Sequence, residues 1–330
     1  MIIPTKILLP LALAATTGGI FGSKVPAMKS VLPGEAKEFN FKGYRIFYKS
    51  AGNPQKPPLV FVHGIGAGAS SFEWRYNFEP LSAHFQVFAY DLLGFGLSQR
   101  PDLEYSLETY LKLLTAFLQE VVQQPAYVAA VSVTAGHALQ VALRQPELIK
   151  KLVLVVPAGA NNLTNSKGPN ITGKSSYPFL RLPGVGKNLF SVFSSRFGIN
   201  SFMQNFMYYD PKFITPELAD YYYIASHQPG AEHAPLAFFA NRLNAEIGES
   251  FGKLTQPTLL VWGKEATVSR PQEGYGLLKQ NAKAHMVLLE KTKLACNEEG
   301  AEAFNRVVAA FLSNPESKIT LEENGFKLVH

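Results

Sequence analysis

The hydrophobic positions of this chain follow two rhythms. From Glu38, the residues EFNFKGYRIFYKSAG alternate apolar and polar on either side of Lys42-Gly43, and this period of two predicts a β-hairpin. Leu59 to His63 (LVFVH) is continuously apolar, as a parallel strand is when helices cover both of its faces. Strand-like runs recur at Gln86 to Asp91, in the stretch from Ala126 that stops at Ser132, at Leu152 to Val156, at Thr258 to Gly263, and in AHMVLL around His285. Helical spacing predicts helices around Phe72 to His84, over Leu107 to Val122, from the Ser132 turn to about Ile149, and over Ala301 to Leu312. Strands alternating with helices at this spacing predict an α/β fold with a mostly parallel open sheet covered by helices on both faces.

The alternation stops between Asn161 and about Lys253. That stretch is helical in tendency and holds an excess of rings, from Phe190 and Phe193 through Tyr221, Tyr222 and Tyr223 to Phe238 and Phe239. Most of these rings are expected to form the segment's own small core. The surplus points to an apolar cavity.

Composition adds one asymmetry. The net charge is +6, and residues 1–60 hold eight Lys or Arg against two Glu, so the remainder is balanced at 23 against 23. The seventeen uncharged residues from Ile7 to Ser23, between Lys6 and Lys24, are short of the roughly twenty that a bilayer span requires. Residues 1–27 fit an export signal, cleaved near Ala14 or Ala27, or a retained membrane anchor. Basic charge beside an apolar run suits an anionic membrane surface better than nucleic acid. The single cysteine, Cys296, forms no internal disulfide and is read as a structural thiol. No metal-ligating or phosphate-cradling motif is present, so neither a metal nor a cofactor is expected.

Chemistry concentrates at Ser132. A strand, a sharp turn and a helix (AYVAAVSVTAGHALQVA) outline a nucleophile elbow, which pushes the serine out over the end of a sheet. The usual Gly-x-Ser-x-Gly reads here Ala130-Val131-Ser132-Val133-Thr134. Ala130 fits the crowded turn, and the branched Thr134 fits it less easily.

HGIGAG after one strand, Asp91-Leu-Leu-Gly94-Phe-Gly96-Leu-Ser98 after the next, the serine elbow after the third, and later TLLVWG, resemble the α/β-hydrolase superfamily in order and separation. The resemblance covers most of Glu38 to Asn314. It implies a hydrolase core at residues 38–160 and 254–314 and an inserted helical cap at 161–253, and leaves the tail at 315–330 without a clear counterpart. It also implies Ser132 as nucleophile, with the backbone N–H groups of Ile65 and Val133 as oxyanion donors.

The rest of the triad departs from the pattern. Where the resemblance calls for the acid, WGKEATV places Ala266, and where it calls for the base, Lys293-Leu294 replaces Gly-His. Glu265, by a shift of register, and His227 or His233, from the cap, are the weak substitutes. His63 and His137 read as structural. A serine hydroxyl without an imidazole is a poor nucleophile near neutral pH. The expectation is a pseudo-hydrolase that binds an apolar small molecule under the cap, or a protein partner at a membrane. The alternative is a working serine hydrolase acting through Ser132 on a hydrophobic acyl substrate.

Overall fold

The computed structural model describes residues 25–159, 171–314 and 329. The N-terminal run and most of the C-terminal tail lie outside the described residues. Eight strands form one sheet: β1 (Glu35–Phe41), β2 (Tyr44–Ala51), β3 (Pro58–Val62), β4 (Gln86–Tyr90), β5 (Ala126–Val131), β6 (Ile149–Val155), β7 (Thr258–Gly263) and β8 (Ala284–Leu289). Their order across the sheet is β1-β2-β4-β3-β5-β6-β7-β8. The first two are antiparallel and the other six run parallel.

Burial follows the two rhythms. Every residue of β3 and β7 is buried, while only alternate residues near the end of β1 are. Helices α1 (Phe78–Ser82), α2 (Leu107–Ala116) and α3 (Val133–Arg144) connect the strands of the first half. The helix expected over Phe72 to His84 is interrupted. A short turn over Ser71–Trp74 precedes α1, and the Ser70 hydroxyl caps it by accepting the Phe72 N–H. The elbow helix also ends earlier than its spacing predicts, at Arg144, because Pro146 lacks the N–H that would continue it, and β6 begins already at Ile149.

Between β6 and β7 lie five helices, α4 (Ile171–Leu180), α5 (Val185–Ser194), α6 (Arg196–Phe202), α7 (Pro216–Ser226) and α8 (His233–Phe239), among the described residues. Ile199, Met203, Met207, Tyr208, Leu218 and Tyr222 form a cluster of their own there, joined to the main core through Phe72, Leu294 and Ala295. After β7 come α9 (Pro271–Leu278), β8, the short α10 (Cys296–Glu299) and α11 (Ala301–Ser313). Of the tail, the Val329 N–H donates to the Met286 carbonyl at 3.0 Å, on the free edge of β8. No helix among the described residues is long and apolar enough to cross a membrane.

Candidate active site

Val131 closes β5 and Val133 opens α3, so the chain turns sharply at Ser132. It does so at φ 56° and ψ −120°, a backbone region that costs a non-glycine residue about 1–3 kcal/mol. Hydrogen bonds hold the turn. The Ser132 N–H donates to the Val155 carbonyl at 2.9 Å, and the Ser132 carbonyl accepts the N–H groups of Ala158 at 3.1 Å and Ala135 at 3.2 Å. Thr134 is fully buried and fits because its Oγ1 donates to the Val131 carbonyl at 2.8 Å. The branch that looked unfavourable in the sequence supplies a bond inside the turn.

The Ser132 side chain is half-buried, and its hydroxyl has no hydrogen-bond partner among the described residues. The backbone N–H groups of Ile65 and Val133 likewise meet no acceptor there. Val133 N–H belongs to the first turn of a twelve-residue helix, where orphan donors and the helix dipole favour negative charge. His63 lies beneath the Ile65 loop. Its Nδ1–H donates to the Gly64 carbonyl at 2.7 Å and its Nε2 accepts the Leu92 N–H at 3.0 Å, and burial holds the ring neutral by lowering its pKa.

The positions expected for acid and base are otherwise engaged. Ala266 is buried, and its N–H donates to the Gly263 carbonyl. The Glu265 carboxylate turns to the neighbouring loop, where Oε2 accepts the Thr292 N–H at 3.0 Å. Leu294 is wedged between the main core and the cluster of the helices between β6 and β7. Around it the backbone is tied to the cap: Leu294 N–H donates to the Phe206 carbonyl at 3.4 Å and Ala295 N–H to the Met207 carbonyl at 3.0 Å.

The cap histidines serve other contacts. His227 stacks on Tyr223 with ring centres 4.0 Å apart, and its Nδ1 lies 2.8 Å from the Tyr223 carbonyl. Nδ1 of His233 lies 3.7 Å from the Asp102 carboxylate. His137 stacks on Tyr110 and donates from Nε2 to the Leu243 carbonyl at 2.6 Å, and burial pushes its pKa down to about 4. Among the described residues no imidazole is hydrogen-bonded to Ser132. Cys296 is wholly buried, and burial raises its thiol pKa, followed by the Glu299 charge.

Two acidic groups carry more than the sequence suggested. Glu73 Oε2 accepts the Gly64 N–H at 2.8 Å, and Gly64 is flanked by Val131, so a carboxyl stands beside both the oxyanion loop and the elbow. Burial, reinforced by the Glu298 charge and opposed by the Gly64 N–H and Arg75, raises Glu73 to about 8. Glu298 is buried, paired with Arg75 at 2.7 Å, and accepts the Tyr208 hydroxyl at 2.5 Å. The buried Tyr222 hydroxyl beside this group has no partner among the described residues. An acid one residue before a buried tryptophan in SFEW was the available signal for Glu73. The pairing of Arg75 with Glu298, far apart in the chain, left none.

Cavities formed by described residues include two away from the elbow. One of about 310 Å³ lies between Phe41, Leu111 and Arg144, and one of about 190 Å³ between Tyr177, Leu182 and His233. Neither of these two borders Ser132.

Comparison with known proteins places these features in context. Residues 57–292 match the family model described as alpha/beta hydrolase fold. An uncharacterized hydrolase of Bacillus subtilis, YugF, is 26% identical over 294 residues, covering 86% of this chain and all of that protein. The 2-hydroxy-6-oxo-6-(2'-aminophenyl)hexa-2,4-dienoic acid hydrolase of Metapseudomonas resinovorans is 30% identical over 242 residues, covering 72% of this chain and 77% of that protein. Among solved structures, a serine hydrolase involved in carbazole degradation, the CarC enzyme, superposes with a TM-score of 0.69 at 22% identity, covering 84% of this chain and 98% of its own.

Proposed function

The chain belongs to the alpha/beta hydrolase fold family, and from that premise we propose that it works by binding, with catalysis impaired at the Ser132 site. One observation carries this reading: the Ser132 hydroxyl meets no imidazole among the described residues, while the loop at the base position is bonded to the cap through Leu294 and Ala295. The strained turn and the unengaged N–H groups of Ile65 and Val133 remain able to hold a carbonyl or carboxylate oxygen. The ligand is an apolar small molecule under the cap, or a protein partner takes its place. Residues 1–27 bring the protein to a membrane or through one. A fluorophosphonate probe, which labels only an activated serine, tests the catalytic half. No labelling of the natural protein is expected near neutral pH, and rapid labelling lost in Ser132→Ala overturns the reading.

Glu73 favours a second reading, a serine hydrolase acting on a hydrophobic acyl substrate. It is a carboxyl beside the elbow that gives up its proton only at about 8, within reach of the range in which a base is effective. Its signature is distinct. Probe labelling would rise as pH passes through that value and vanish in Glu73→Gln.

A further inference from the structure

The described residues hold nine exposed large hydrophobic side chains, and six of them fall within residues 171–209: Phe179, Leu182, Leu189, Phe197, Phe202 and Tyr209. The same stretch contains four Lys or Arg and no Asp or Glu. It comprises α4, α5 and α6, which pack on one another and on α7 and α8 through their inner sides. A helical layer that turns aromatic and aliphatic side chains outward, and whose own sequence carries only basic charges, has the composition of a surface lying in a bilayer interface.

The N-terminal end of the described chain leads to the same place. Gln228, just past α7, donates from Nε2 to the Pro26 carbonyl at 2.8 Å. The adjacent His227 stacks on Tyr223, and the Arg196 guanidinium lies 4.5 Å over that same ring, immediately before the exposed Phe197. The uncharged run Ile7 to Ser23 therefore precedes a segment that reaches the body beside this cap face.

We propose that the outer face of the cap, carried on α4 to α6, docks onto an anionic phospholipid bilayer, on the side where Pro26 meets the body. The rings supply most of the attachment. Arg181 pairs with Asp102 at 2.7 Å and Arg196 pairs with Asp220, so the charge of both arginines is already answered within the protein. Anionic lipid then adds a smaller, salt-sensitive share. The docking rests on the membrane half of the reading above and is independent of its catalytic half. It would set the Ser132 elbow, at the cap end of the sheet, toward the lipid.

The test uses the full chain. Cys296 is buried, so a thiol introduced by Leu189→Cys takes a polarity-sensitive fluorophore selectively, and Glu147→Cys, exposed at the opposite end of the parallel strands, serves as the control. With vesicles of phosphatidylcholine and phosphatidylserine, the probe at 189 should shift to the blue and the probe at 147 should not. Phosphatidylcholine alone should give a weaker shift at 189. Adding Phe197→Ser and Phe202→Ser should remove most of the shift without changing the circular dichroism spectrum. If the chain floats with vesicles while the probe at 189 stays in water, the cap face is wrong and the membrane reading survives. If the chain binds neither vesicle, both fall. A blue shift that grows with protein concentration in the absence of lipid assigns the face to a second copy of the chain and overturns the proposal.

Discussion

The Glu73 carboxyl accepts the Gly64 N–H at 2.8 Å, so the loop that would hold an oxyanion is itself held by an acid. Burial raises this acid from an ordinary value of 4.5 to about 8. In the unfolded chain Glu73 ionises near the ordinary value, whereas in the folded protein it keeps its proton well above it. Its contribution to stability is complete below the unfolded value and is lost as pH rises through the folded one. Glu73→Gln keeps an acceptor for Gly64 and removes the titration. The variant's stability relative to the natural protein should therefore rise by about 4–5 kcal/mol between acidic and mildly alkaline pH, as measured by urea unfolding across that range.

Ser132 keeps the backbone of an elbow, and that backbone costs stability whether or not the hydroxyl is used. Glycine adopts φ 56° and ψ −120° without a Cβ clash. Ser132→Gly should stabilise the protein by about 1 kcal/mol, after subtracting the entropy that glycine adds to the unfolded chain. A fall in the urea midpoint would mean that the serine side chain makes a contact outweighing the strain.

Restoring the triad should show the non-additivity of groups that act as a unit. Ala266 is buried, so Ala266→Asp alone introduces a carboxylate without a partner and should destabilise the fold by about 1–3 kcal/mol. Leu294→His alone gives a base with nothing to orient it. Together the two should raise hydrolysis of p-nitrophenyl esters by more than the product of their separate effects. Equal activity in the double variant and the better single variant would place the obstacle elsewhere, in the bonds that tie Leu294 and Ala295 to the cap.

The pair of Arg75 and Glu298 joins the first helical turn after β3 to the segment before the last helix, with Tyr208 bringing in the cap. Removing one member of a buried pair leaves the other charge uncompensated. Arg75→Met should cost about 3–5 kcal/mol in thermal or urea unfolding, and adding Glu298→Gln should recover a good part of it. Tyr208→Phe should cost less, about 1 kcal/mol, and should speed proteolysis within the cap more than within the sheet.

How much of this was legible in the sequence depended on the distance over which each feature is made. The elbow, the HGIG loop and the strands are local patterns, and β3, β5 and β7 fall where the apolar runs predict them. Glu73 was not legible, since its acidity depends on Gly64, Glu298 and Arg75 converging in space. The basic, apolar face of the cap was hidden for a different reason. Balancing charge over all residues beyond 60 let acidic segments cancel the run from 171 to 209, and only exposure separates outward rings from core rings. The helix ends were misjudged where one proline, Pro146, outweighed a continuing apolar spacing.

The adjacency of β6 and β7 has a consequence for how the chain comes off the ribosome. Leu152 to Val155 pair with Thr258 to Val261, yet residues 156–257 must be made in between. Closing so long a loop costs little more than closing a shorter one, because the entropy grows only with the logarithm of length. Time is the heavier constraint. While the cap is being synthesised, β6 presents an unpaired apolar edge of Leu152, Val153 and Leu154, all fully buried in the finished sheet. Until β7 emerges, the nascent chain carries an adhesive border of the kind that recruits chaperones or neighbouring chains.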